Sequence, residues 1–184
     1  MQSAFYKKHN FIVLNLIVMA AENIKLKQNA ILTILWLGFL TGTLDGIAAI
    51  IWNYITSGSI NADIIFKFIA SAVFGKVAFN GGAEMIVAGI VFHYVIAFLF
   101  TIAFYLLYPA FDKRLGNKYL IAVCYGVIAW LVMNLAVVPA SKIGFQPIRV
   151  QVAIIGIIIL VVCIGLPIAL IADKKYWASK TFTW

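Results

Sequence analysis

Charge is the scarcest property of this sequence. Only 11% of its 184 residues are Asp, Glu, Lys or Arg and 65% are apolar, whereas an ordinary soluble domain carries roughly 25% charged residues. No polar stretch is long enough to fold as a separate soluble domain, so one membrane domain over residues 1–184 is the expected organisation. Cysteine is nearly absent: Cys124 and Cys163 lie inside apolar runs without CxxC spacing, so neither a disulfide nor a thiolate metal site is expected. Histidine is limited to His9 and His93, and there is no HExxH. No catalytic or metal constellation is therefore expected, nor any cofactor, and an enzyme is the weakest reading. Six acidic against fourteen basic residues leave a net charge of +8. The basic residues sit in small clusters beside apolar runs, which argues against a nucleic-acid partner and for topology signals touching anionic membrane lipids.

What the chain does have is long apolar runs. The first, 31–55 (ILTILWLGFLTGTLDGIAAIIWNYI), contains a single charge, Asp45. At ~1.5 Å per residue such a run exceeds the ~30 Å hydrocarbon core of a bilayer. Gly38, Gly42 and Gly46 recur at every fourth position, a stripe that lets another helix approach closely. Asp45 lies ~60° from the centre of that stripe, at ~100° per residue, so it faces protein rather than lipid. Three further spans are predicted at about 85–108, 119–138 and 150–172. Pro109 and Pro139 are read as stops for the first two, and Pro167, unable to donate to the Cys163 carbonyl, predicts a kink in the last. Gly126 belongs to a second small-residue stripe with Ala122, Ala129, Met133 and Ala136.

The connection between the first two spans is too apolar for a loop. Asn61 can cap a helix over about 61–76 in which Asp63, Lys67 and Ser71 form a polar stripe, an amphipathic helix at the membrane interface ended by Asn80-Gly81-Gly82. Residues 1–28 carry Lys7, Lys8, Lys25 and Lys27 around an apolar run, Phe11 to Ala21, that is too short to span. They read as an interfacial helix, with a targeting segment as the alternative. With the N-terminus inside, ten basic residues fall on the cytoplasmic side and only Lys67, Lys76, Lys142 and Arg149 outside. That bias places both termini in the cytoplasm. Tyr54, Tyr105, Tyr108, Tyr119 and Trp177 fit interfacial aromatic belts. The predicted fold is thus all-α: four antiparallel transmembrane helices plus the amphipathic helix and the N-terminal segment.

Asp45 and His93 are the ionisable residues deepest in the spans, each ~14–15 Å from the outer surface in antiparallel threading. His93 shares its face with Gly89 and Ala97, a patch able to receive the glycine stripe of the first span. The expectation is an Asp45–His93 hydrogen bond or ion pair, acting on protons or ions or simply setting helix register. A second polar group, Asn53, Glu84, Asn134 and Gln151 with Lys76 and Arg149, collects near the outer ends of the spans. It offers either a vestibule for a small polar ligand or ordinary interfacial capping.

The stretches GTLDGIAAIIW (42–52), FIASAVFGKVAFNGG (68–82), FHYVIAFLF (92–100), YGVIAWLVMNLAVVPAS (125–141) and GLPIALIADKK (165–175) resemble a family of uncharacterised bacterial inner-membrane proteins. The resemblance covers about residues 36–175. It implies a bacterial multi-pass inner-membrane protein and carries over no catalytic residue. Two functional expectations follow from the residues. One is binding or translocation of an ion or small solute through the polar bundle centre, with a homo-oligomer or membrane partner completing the path. The other is an accessory subunit docking partner helices through its glycine-rich faces.

Overall fold

A computed structural model describes residues 31–180, with side chains as far as Lys174. The expected N-terminal interfacial segment, 1–28, lies outside the described residues. Every regular element among the described residues is helical.

Helix α1, Ile31–Ser57, ends where the Gly58 N–H returns to the Tyr54 carbonyl at 2.9 Å. Gly58 adopts a positive φ of 69°, which glycine takes without a Cβ penalty. Helix α2, Ala62–Phe74, begins at Asn61, whose side-chain oxygen accepts from the Ile64 N–H at 3.3 Å. It stops at Gly75, also left-handed at φ 68°, so the segment predicted as one helix over 61–76 is divided. A single turn, α3 (Val77–Asn80), follows.

Helix α4, Ala83–Leu115, has 33 residues and runs straight through Pro109. At ~1.5 Å per residue it is about 50 Å long. Proline removes one internal hydrogen bond, and packing on both sides of the site holds the helix together. The true stop is Gly116, left-handed at φ 59°, with its N–H on the Asp112 carbonyl at 2.9 Å. Asn117 then caps α5, Lys118–Ala140, accepting from the N–H of Tyr119 at 2.9 Å and of Leu120 at 3.4 Å.

Both remaining spans contain a widened π-turn. In α5 it is Met133–Val137, ahead of Pro139; in α6, which runs from Val150 to Lys180, it is Val161–Gly165, ahead of Pro167. Each π-turn encloses the carbonyl, Leu135 or Cys163, that the proline four residues later cannot bond. The extra residue in the turn accommodates the missing donor and the ring. Pro139 thus sits in the last turn of α5, and the expected kink at Pro167 takes the form of a π-turn.

Contacts divide the chain into Met1–Trp36, of which only the start of α1 is described, and Leu37–Trp184, which holds the bundle. Within the second unit the glycines mark where helices meet. Gly38 faces Phe98, Gly42 faces Tyr94 and Ala97, and Gly46 faces His93. Partners on α4 fall in number as α1 advances, the order of two helices running in opposite directions. Gly89 turns away from α1 and lies against the Phe66 backbone of α2. Gly126 meets the backbone of Val161, and Gly165 the carbonyl of Ala122, which brings α5 and α6 into backbone contact.

The largest buried cluster lies in the half of the bundle nearest the α4–α5 turn: Leu37, Phe104, Tyr108, Ile121, Tyr125, Ile164 and Ile168 are its large members. Tyr108, expected in an interfacial belt, is 2% exposed. Its ring packs in the bundle while its hydroxyl donates to Asp173 near the α4–α5 turn, an apolar body with a polar tip. Val87, Val91, Val95, Leu99 and Leu106 of α4 are exposed, a face suited to lipid.

Candidate functional site

The polar centre is built on the groove that glycine opens in α1. Because Gly42 and Gly46 lack a Cβ, the His93 ring approaches the α1 backbone, and its Nε2–H donates to the Gly42 carbonyl at 2.8 Å. A carbonyl can only accept, so Nε2 carries a proton and is the donor here. Phe66 of α2 closes over His93 edge-on, with ring centroids 6.4 Å apart, and Tyr94 meets it edge-on at 5.7 Å. Phe66 and Phe74, eight residues apart on α2, thus meet adjacent residues of α4, since Phe74 stacks on Phe92 at 6.1 Å. Those are contacts of a helix crossing its partner, and they bring α2 to the level of His93.

Tyr94 is fixed in turn. Its ring stacks on Phe39 with centroids 5.5 Å apart and planes 9° from parallel. Thr43 already donates to the Phe39 carbonyl, so at 2.9 Å the Tyr94 hydroxyl donates to Thr43 Oγ1.

Asp45 is half-buried, within electrostatic reach of both the His93 imidazole and the Cys163 thiol of α6. The structure brings Asp45 and His93 together as neighbours, but without the hydrogen bond or ion pair expected between them. The glycine groove gives His93 a backbone acceptor at closer range. Among the described residues Asp45 makes no hydrogen bond, and the ion pair there joins Lys118 to Asp173. One turn along α1, Thr41 lies 3.4 Å from Thr101 of α4, and both are buried.

The second polar group does not assemble through hydrogen bonds or ion pairs. Asn53 Nδ2 donates to the Ser59 carbonyl at 3.3 Å, Glu84 accepts from the Gly82 N–H at 2.6 Å, and Asn134 donates to the Trp130 carbonyl at 3.0 Å. Lys76, Arg149 and Gln151 are exposed. Asn53, Glu84 and Asn134 each bond a backbone group within six residues along their own chain segment rather than another member of the group.

Two features escape a reading of the sequence. Cys163 reads there as packing, yet it lies within electrostatic reach of Asp45, in the π-turn Val161–Gly165 of α6. At the far end of the bundle, Asp173 accepts from the Tyr108 hydroxyl at 3.1 Å and from Lys118 Nζ at 3.2 Å. The available signal was that Asp173 is the sole acid after residue 112.

Among the described residues no group of three His, Cys, Asp or Glu side chains is arranged to hold a metal ion. Four helices are long and apolar enough to cross a membrane: Ile31–Ser57, Ala83–Leu115, Lys118–Ala140 and Val150–Lys174. The chain is a multi-pass α-helical membrane protein, with the Asp45 carboxylate in one span within electrostatic reach of an imidazole and a thiol in two others. No protein-family model, curated protein or solved structure matches it.

Proposed function

We propose that this protein binds and translocates a proton or small cation, with Asp45 as the binding group. One observation carries the reading: a carboxylate within a membrane span that makes no hydrogen bond or ion pair among the described residues, beside an imidazole whose Nε2–H donates to the Gly42 carbonyl. A carboxylate in that position is costly as a bare anion and is relieved by taking up a proton or cation. Thiol and imidazole neighbours bias its charge without neutralising it permanently, as an exchangeable site requires. The accessory-subunit reading draws less support, because the glycines at 38, 42, 46, 89 and 126 all face helices of this same chain.

The proposal places the protein in the bacterial inner membrane with both termini in the cytoplasm, and assigns it no catalytic chemistry. Four spans are few for a complete path, so a homo-oligomer or membrane partner is part of the proposal. The test is proton flux into proteoliposomes carrying an entrapped pH dye. Wild type should dissipate an imposed gradient at least tenfold faster than Asp45→Asn, with K⁺ or Na⁺ gradients as the parallel arm. Equal rates for the two proteins in every arm would remove Asp45 from any such role.

A further inference from the structure

One face of α4 carries His93, Thr101, Phe104 and Tyr108, at spacings that keep them within ~80° of one another. Three of the four are polar and mark two levels. At the centre are His93, Asp45, Cys163 and the Thr41–Thr101 pair. Near the α4–α5 turn, Asp173 accepts from Tyr108 and Lys118. Phe104 separates the two levels. It is 0% exposed and packs edge-to-face on Tyr125, with ring centroids 4.5 Å apart. Tyr125 is 2% exposed and its hydroxyl is tied to the Phe100 carbonyl at 2.6 Å. Leu37, Ile121, Ile164 and Ile168 belong to the same buried cluster. Both polar levels therefore end against one dry aromatic layer.

Resting on the transport reading above, we infer that Asp173 is a second proton station and that the Phe104–Tyr125 layer is the gate between it and Asp45. Lys118 selects the substrate, since an ammonium on the Asp173 carboxylate repels a metal cation but tolerates a proton. With the gate open, the proton leaves the Asp45 carboxyl and passes through water entering the layer to the Asp173 carboxylate. Protonated Asp173 loses its ion pair with Lys118. Re-formation of that pair releases the proton to the aqueous side, and Asp45 is left as carboxylate.

Cys163 is a native reporter of the gate. It is ten residues, ~15 Å, from Asp173 along α6, whereas Phe104 is four residues, ~6 Å, from Tyr108 along α4. Seen from Asp173, the thiol therefore lies behind the gate. In a Cys124→Ser background, a membrane-impermeant thiol reagent added on the Asp173 side should leave Cys163 unlabelled. Adding Phe104→Ala, or the milder Phe104→Leu, should raise labelling at least tenfold in protein that still elutes as the wild type does. In proteoliposomes, Asp173→Asn should lower proton flux at least tenfold and Asp173→Glu should restore it, a rescue that a purely structural role would not give. With wild-type flux present, unchanged labelling in both Phe104 variants, or unchanged flux in Asp173→Asn, overturns the inference. A wild type that passes no protons overturns the proton reading itself, whatever Cys163 does.

Discussion

The His93 Nε2–H and the carbonyl oxygen of Gly42 lie 2.8 Å apart across the α1–α4 interface. The contact joins a side chain to the backbone of another span, beside Gly46, where a Cβ would stand 3.3 Å from His93 Nε2. Glycine at position 42 is thus both a packing residue and the acceptor that orients the centre.

Substitution within the α1 stripe should be graded. A Cβ at Gly42 would stand 2.9 Å from Tyr94 Cδ1 and 3.1 Å from the Ala97 Cβ, whereas one at Gly46 would stand 3.3 Å from His93 Nε2. Gly42→Ala is expected to destabilise by about 1–3 kcal/mol, as overpacking does, and Gly46→Ala by under about 1 kcal/mol. Thermal unfolding in detergent distinguishes them, and equal effects would contradict the packing described.

Three glycines meet the backbone of a neighbouring helix: Gly89 at Phe66, Gly165 at Ala122, and Gly126 at Val161, whose Cγ2 it meets as well. Alanine at any of them must displace a whole helix. Gly89→Ala should release α2 from α4, read as faster proteolysis within 62–80 while the spans stay protected. Gly156→Ala meets the Trp130 ring instead and should have the smaller effect.

Hydroxyl deletions should also differ. Thr41 and Thr101 each donate to a carbonyl of their own helix at 2.8 Å, so their 3.4 Å contact adds little. Thr41→Val is expected to change stability by less than about 1 kcal/mol. Tyr125→Phe strips the Phe100 carbonyl of a 2.6 Å partner in the bundle interior and should cost about 1–2 kcal/mol. Chemical denaturation of both variants under one condition gives the comparison.

The Lys118–Asp173 pair is partly open to solvent, with side chains 38% and 24% exposed. A Lys118→Met, Asp173→Asn double-mutant cycle should therefore return a coupling of no more than about 1 kcal/mol, shrinking in high salt. A salt-independent coupling of several kcal/mol would mean the pair is shielded from water.

Orientation has its own check. A reporter fused after Trp184 should be active only when cytoplasmic, following the excess of basic residues on that side. Periplasmic activity would reverse both termini.

Much of the architecture was legible because it depends on local composition. The span around Asp45, the cap at Asn61 and the missing donor at Pro167 each concern residues within a turn or two of one another. Other assignments were open by nature. Gly89 records that something comes close without recording what, and the sequence pattern assigned it to α1 where the fold presents it to α2. Pro109 read as a stop because proline is a local breaker, yet α4 continues to Gly116 under tertiary support.

By itself the sequence determined that this is a membrane protein with four apolar helices, and that acids within the spans are rare enough to single out Asp45. Hydrophobic length and charge scarcity act on each segment alone, so they need no partner to be read. Only the tertiary structure decided that His93 bonds Gly42 rather than Asp45, that Cys163 comes within electrostatic reach of the carboxylate, and that Tyr108 and Lys118 converge on Asp173 from positions 65 and 55 residues away. Such pairings depend on which faces of separate helices meet. That choice is made by side-chain volume, glycine gaps and π-turns acting together across the whole bundle.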